Sequence, residues 1–433
     1  MLATVPAAAV LLLSASFSAS VDLNALVSAE ARAGETPVRP GDPSTKVVMG
    51  ILAPGVSGSL AGPEASVRLG YVVRLASVGP DSGLPATAPL DFHVAVLHVL
   101  DLQASARASR TLTLTATGAS SIGEPDYAAL AGILGPTPTG TLPAVQKIVA
   151  VSGHLGARYL ASPRWELALA GEAARYHSYG GTVAAAVNGG GGMVPLFVAP
   201  PLPDQTMLRA LPSASAHLSR RSDLLLVGEL DRVSSSGSLA VPGGAFDFVV
   251  ASTELGWRTH LSRLGDLRVL GGVAHGWRSG TGGSTSGSGP SWSPIGGVEI
   301  GSWLPGQDEP RLRGLFSTSV DYFVDPFLGA AGPRSTTSLA LGLLFQPDTT
   351  AALEAIFSTV IRSQPLAGNP DETVVALQLP IRHRLSDTLF IEGGVRGSDR
   401  GPNFSAPSFA FHQRELWVYL RLTATTRSRP GHP

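Results

Sequence analysis

The sequence predicts an all-β protein: a closed antiparallel transmembrane β-barrel of about 18 strands, 16 being the fallback count. Its short turns lie at the periplasmic end and its long loops at the extracellular end. Three observations predict this fold. The 433 residues have a mean hydropathy of +0.21 and only 15% charged residues, yet no run of about 18 apolar residues could form a transmembrane helix. A two-strand unit with a tight turn recurs about every 40 residues. Short turns alternate with long Gly, Pro and Ser-rich connections, which puts all the short turns at one end of the sheet.

Residues 1–20, MLATVPAAAVLLLSASFSAS, read as a signal peptide. An apolar run spans Ala7 to Leu13, and small residues lead to a cleavage point near Ser20. The segment carries no Lys or Arg, and the first charge is Asp22. Residues 21–433 then form one barrel domain.

The candidate strands run in order from the N-terminus. The first two, 22–34 and 46–58, are the least regular, because VSAEARAG alternates weakly and VVMGILAPG is almost continuously apolar. Strands at 65–78, 89–103 and 109–121 follow. The pair 144–160 and 164–179 flanks the turn in ARYLASPRWELALAGE, and 205–219 with 223–235 repeats it in SAHLSRRSDLLLVGE. The pair 246–262 and 266–279 repeats it again in RTHLSRLGDLRVLGG. Strands at 291–304, 311–325, 336–346, 350–363, 372–385 and 388–399 continue the series, LLFQPDTTAALEAIF being a looser copy and RHRLSDTLFIEGG a closer one. The last strand is 408–424. Each copy ends a strand at Leu, turns on Ser or Ala with a basic residue or Pro, and restarts near Glu166, Asp223, Asp266 or Asp387. The long connections include 177–205, 279–291 and 398–408.

Period-two alternation assigns the faces. In WELALAGEAARY, Trp165, Leu167 and Leu169 oppose Glu166, Ala168 and Glu172; in ELGWRTHL, Leu255, Trp257 and Leu261 oppose Glu254, Arg258 and His260. In the 311–325 segment, Phe316, Val320, Tyr322 and Val324 oppose Ser317, Ser319 and Asp321. The apolar face suits lipid, where a sheet must close to leave no unpaired edge, and the small polar face suits a wet lumen. A soluble sandwich would also alternate, but it would mix loop lengths at both ends. The face assignment yields candidate lumen-lining residues Arg68, Arg74, Glu166, Glu172, Arg209, Glu229, Asp231, Glu254, Arg258, Arg313, Asp321, Arg382, Arg384 and Arg421. These either contact a passing solute or simply pair across strands to stiffen the wall. Their mixed signs argue against a strongly ion-selective ring. Tyr159, Trp165, Trp257 and Tyr322 are candidate lipid-interface aromatics. His98 falls on the apolar parity of its strand.

Several chemistries are excluded or left without support. A net charge of −1 gives no electrostatic case for nucleic acid, and the absence of Cys removes disulfides and thiolate chemistry. No nucleophile elbow, P-loop, zinc motif or dinucleotide fingerprint occurs, so the expectation is a non-enzyme without a cofactor or metal. The Gly-rich GGTVAAAVNGGGGM lacks a strand–loop–helix context. His217, His260 and His383 each precede a tight turn, which reads as one repeated turn solution rather than a metal site.

The hairpin SPRWELALAGE (162–172), its degenerate copies and the Ala, Arg and Gly-rich composition resemble large bacterial outer-membrane β-barrels associated with Wzx/Wzy-type exopolysaccharide secretion. The resemblance covers most of the chain and implies an outer-membrane conduit of 18 strands that serves as the exit pore for secreted polysaccharide. It implies as partners outer-membrane lipid, the barrel assembly machinery, polysaccharide and a periplasmic export protein, and it carries no catalytic residue. The last strand, LWVYLRLTATT, is followed by RSRPGHP, where the pattern read by the assembly machinery ends in Phe. Two other readings stand beside the conduit. One is a structural or surface-display barrel with a plugged lumen and partner-binding loops. The other is a general diffusion porin, which calls for one loop folded inward.

Overall fold

The computed structural model describes residues 20–37, 44–78, 93–124, 146–181, 184–187, 193–197, 204–236, 245–262, 265–279, 291–304, 312–325, 330–346, 348–360, 372–402 and 413–426. The segment read from the sequence as a signal peptide lies outside them up to residue 19, as does most of the long connection 279–291. The first half of the chain forms β1 (Ser20–Pro37), β2 (Ser44–Ala61), β3 (Ala65–Val78), β4 (His93–Arg107), β5 (Leu112–Gly123), β6 (Gln146–Ser162), β7 (Trp165–Gly181), β8 (Ala184–Val187), β9 (Met193–Phe197) and β10 (Gln205–His217). The second half forms β11 (Ser222–Ser235), β12 (Phe246–Ser262), β13 (Gly265–Ser279), β14 (Ser291–Leu304), β15 (Leu312–Asp325), β16 (Ala330–Gln346), β17 (Thr349–Val360), β18 (Glu372–Ser386), β19 (Leu389–Pro402) and β20 (Gln413–Thr425).

Eighteen of these strands make one antiparallel sheet, each paired with its sequence neighbours, and β8 with β9 forms a separate small hairpin inside the β7–β10 connection. The sheet closes where β1 pairs with β20, from Leu26 opposite Thr425 to Glu35 opposite Leu416. Thr426 extends the seam, its amide donating to the Ala25 carbonyl at 2.9 Å. Barrel strands run from 12 residues in β5 to 18 in β1, so each exceeds the ~9–11 residues that a tilted strand needs to cross a bilayer. A closed sheet of even strand number leaves no backbone edge for lipid to solvate, which makes this an outer-membrane barrel.

The recurring turn has a local cause. In the tight connections the Ser109, Ser162, Ser219 and Ser386 hydroxyls each accept from the backbone N–H two residues on, at 3.1–3.3 Å. A Ser hydroxyl that takes over a backbone partner lets the chain reverse within a few residues. The histidines before the turns follow two solutions. His217 Nδ1 is 2.7 Å from Asp223 of the restarting strand, and His260 pairs in the same way with Asp266. His383 instead meets the Thr349 hydroxyl of the neighbouring strand at 2.8 Å.

The register separates the two faces. On β1, Val21, Leu23 and Val27 are exposed, whereas Glu30 of the opposite parity is buried. On β18, exposed Val375, Leu377, Leu379 and Ile381 alternate with Gln378 and Arg382. On the convex side of a closed sheet side chains splay outward; on the concave side they converge and cover one another. The apolar parity is therefore the outer one. His98 sits on that outer parity with its Nδ1 2.7 Å from the Tyr71 hydroxyl, so its polar atom is satisfied on the lipid-facing side.

Candidate functional site

Register places Arg68 and Arg74 on β3, Glu166 and Glu172 on β7, and Arg209 on β10, all on the inner parity. Glu229 and Asp231 on β11, Glu254 and Arg258 on β12, and Arg313 and Asp321 on β15 share that parity. So do Arg382 and Arg384 on β18 and Arg421 on β20. The structure gathers most of them into cross-strand clusters. Arg209 holds Asp231 through two hydrogen bonds of 2.7 and 2.9 Å, with Glu229 at 3.0 Å and Glu172 at 3.5 Å. Arg258 donates to Asp223 at 2.6 and 2.9 Å, and Arg158 pairs with Glu166 at 2.5 Å. Arg421 joins Glu30 and Glu392 across the closing seam, and Arg32 also pairs with Glu30. Arg384 reaches Asp348, while the Arg382 guanidinium lies 4.4 Å above the Phe390 ring. Arg68, Arg74 and Arg313 stand elsewhere on the wall, outside these clusters.

An inner cavity of about 410 Å³ runs across the arc from β4 to β11. Asp101, Gln103, His154, Glu172, Arg209 and Asp231 supply its polar atoms, and Ala174, Met207 and Val233 its apolar floor. Among the described residues, no group of three or more His, Asp or Glu side chains is placed to hold a metal ion.

The inner wall changes character near the extracellular ends of β11 and β12. There Val233, Phe246, Phe248 and Val250 occupy the inner parity and are buried. Four apolar side chains facing open water would cost stability, so their burial needs a cover. Val324 and Ala331 of the β15–β16 hairpin cover three of them, Val233, Phe246 and Phe248. Pairing of β14 with β15 stops at Gly296 opposite Val320, although β14 runs on to Ser291, and pairing of β16 with β17 is described as far as Arg334 opposite Val360, where the described part of β17 ends. Among the described residues beyond Val320, β15 and β16 pair only with each other, from Asp321 opposite Arg334 to Asp325 opposite Ala330. This two-stranded arm leaves the wall and lies inside. Val324 and Ala331 pack against Val233, Phe246 and Phe248, and β15 touches β13 although β14 lies between them in the sheet.

Other contacts fix the arm on the same inner surface. A Cβ at Gly276 of β13, which is inner by register, would stand 2.6 Å from Tyr322 Cε1. Asp321 lies within electrostatic reach of both Glu229 and Glu254 on the wall. Within the arm, Arg334 donates to Asp321 at 2.5 and 3.0 Å and stacks on Phe323 with 4.3 Å to the ring centroid. At the branch point Gly296 has φ of +153°, and a Cβ there would meet the Leu270 carbonyl oxygen of β13 at 2.5 Å, so glycine is required where β14 runs against β13.

The arm corrects the sequence reading at two residues. Tyr159, Trp165 and Trp257 are exposed on the outer parity beside tight turns. Tyr322 and Val324, assigned to the lipid side with the rest of their strand, instead turn their apolar parity onto the inner wall once the strand leaves the sheet. The signal for this was present. On β12 the even positions from Ser252 to Arg258 are small or polar, but Phe246, Phe248 and Val250 break that rule at one end. Residues missed as members of the wall clusters, among them Glu30, Arg158, Asp223, Arg334 and Glu392, lie on the correct parity but become partners only through register.

No protein-family model matches the chain, and no curated protein matches it. Solved structures that resemble it are outer-membrane barrels at low identity. The copper transporter OprC aligns over 94% of this chain and 80% of its own at 10% identity, with a TM-score of 0.47. The outer membrane protein OpdK from Pseudomonas aeruginosa covers 94% and 99%, at 10% identity and a TM-score of 0.44. OpdO from the same organism covers 94% and 98%, at 13% identity and a TM-score of 0.43.

Proposed function

We propose that this protein is a porin-like diffusion channel for small hydrophilic solutes. The observation that carries the reading is the inward-lying β15–β16 arm. An 18-stranded barrel is wide enough for an aqueous channel, and a second sheet layer on one wall takes about 10 Å from its width. The polar inner parity and its cross-strand ion pairs suit a water-filled passage whose wall must hold its shape. Polysaccharide exit rests on the resemblance alone, and an arm that narrows the mouth works against a thick polymer. Planar-bilayer recording with liposome swelling tests the reading. The channel should conduct ions and admit mono- and disaccharides but not long oligosaccharides. A silent barrel would point to the plugged, partner-binding alternative, and loss of surface polysaccharide on gene deletion would point to polymer export.

A further inference from the structure

We infer that Tyr322 is the residue that seats the arm, and that this seat sets the size limit of the channel. The inference rests on the diffusion-channel reading and assigns its selectivity to one contact. Beyond Gly296 on one side and Arg334 on the other, no ladder hydrogen bond ties the described part of the arm to the barrel wall. The charges at its base are satisfied internally, since Asp321 is held by Arg334 of the same hairpin. Side-chain packing meets the wall at two places: Val324 and Ala331 on the phenylalanine patch, and the Tyr322 ring over Gly276. The patch also carries the Arg278 guanidinium, 5.9 and 5.6 Å from the Phe246 and Phe248 ring centroids. The glycine is a notch. Any side chain at position 276 would occupy the space of the ring, so the pair fixes where along the wall the arm rests.

Emptying the notch and filling it should therefore act alike. Either Tyr322→Ala or Gly276→Val releases the tip from its resting place, widening the passage, while the wall ladders that close the barrel stay intact.

The chain has no cysteine, so a cysteine pair can be read without background. Val233→Cys with Val324→Cys, which leaves Tyr322 and Gly276 in place, should be joined by a short bifunctional methanethiosulfonate in native outer membranes. Arg232→Cys with Val324→Cys, with Arg232 on the outer parity, should not be joined. In planar bilayers Tyr322→Ala, confirmed as a barrel by heat-modifiable mobility, should raise single-channel conductance by half or more and admit larger sugars than the parent. Cross-linking the 233–324 pair should hold conductance at or below the parent value. Absence of cross-linking, or a Tyr322→Ala channel with unchanged conductance and sugar limit, overturns the inference. If the pair cross-links but the parent barrel carries no current, the channel reading fails and the size limit falls with it, although the arm is shown in its seat.

Discussion

Glu30 on the first strand and Arg421 on the last meet across the seam that closes the barrel: Arg421 Nη2 and Nε donate to Glu30 Oε2 at 2.7 and 2.8 Å. Glu30 is only 7% exposed and also receives Arg32 from its own strand. One carboxylate thus binds two guanidinium groups at the point where the chain's ends must find each other, and Glu392 beside Arg421 supplies the second negative charge. Removing one partner of such a pair leaves charge without compensation in a place that water reaches poorly.

Glu30→Ala should destabilise the barrel by about 2–3 kcal/mol, below the full figure for a buried pair because Arg421 is partly exposed. Urea unfolding in lipid vesicles reads this directly. Glu30→Ala combined with Arg421→Ala should cost less than the two single changes added together. Strict additivity would mean that the pair does not hold the seam.

Leu169, 56% exposed on the outer parity of β7, and its neighbour Ala168 on the inner parity offer a matched comparison. Arginine at a lipid-facing position near the bilayer midplane costs about 2–4 kcal/mol, whereas a wet wall accepts it. Leu169→Arg should therefore lower the unfolding free energy by that amount, and Ala168→Arg by under about 1 kcal/mol. Equal costs at the two positions would contradict the assignment of faces.

The face assignment was almost wholly legible in the sequence, and so were the strands. β10 through β15 begin and end within two residues of their expected limits, and β12 and β14 match them fully. The reason is physical: lipid on one side and water on the other impose a period of two that nothing else in the chain needs to satisfy. The arm was not legible as such. Residues 330–335, AAGPRS, alternate poorly, so β16 was expected to begin at 336 although it begins at Ala330. A diffusion porin calls for one long loop folded inward, whereas the inward-lying element here is a hairpin between β15, which ends at Asp325, and β16, which begins at Ala330. Its apolar parity reads the same whether it meets lipid or the phenylalanine patch of β12, because alternation reports that a face is dry and not what dries it. The ion-pair clusters were half visible: parity named Arg209, Glu229 and Asp231 as inner, but only register brings them together.

Arg209 is the shared partner of three carboxylates, Glu172, Glu229 and Asp231. Arg209→Ala should cost about 1–3 kcal/mol, the range for leaving hydrogen-bonded groups without a partner. It should also shift the zero-current potential under a salt gradient toward cation preference, because the local charge falls by one unit. Arg209→Lys should keep the potential near the parent value, yet recover only part of the stability, since an ammonium cannot hold Asp231 with a two-pronged fork. An unchanged potential in Arg209→Ala would place this cluster away from the conduction path.

The central claim is that one parity of each strand meets lipid and the other meets water inside a closed sheet. Single cysteines placed at each position from 166 to 174 of β7, in a chain that has none of its own, test it most directly when treated in intact outer membranes with a membrane-impermeant maleimide. The account predicts labelling at the even positions, which share the parity of Glu166 and Glu172, and protection at the odd ones, which share that of Leu167 and Leu169. Labelling without a period of two, or with the two sets exchanged, would contradict it.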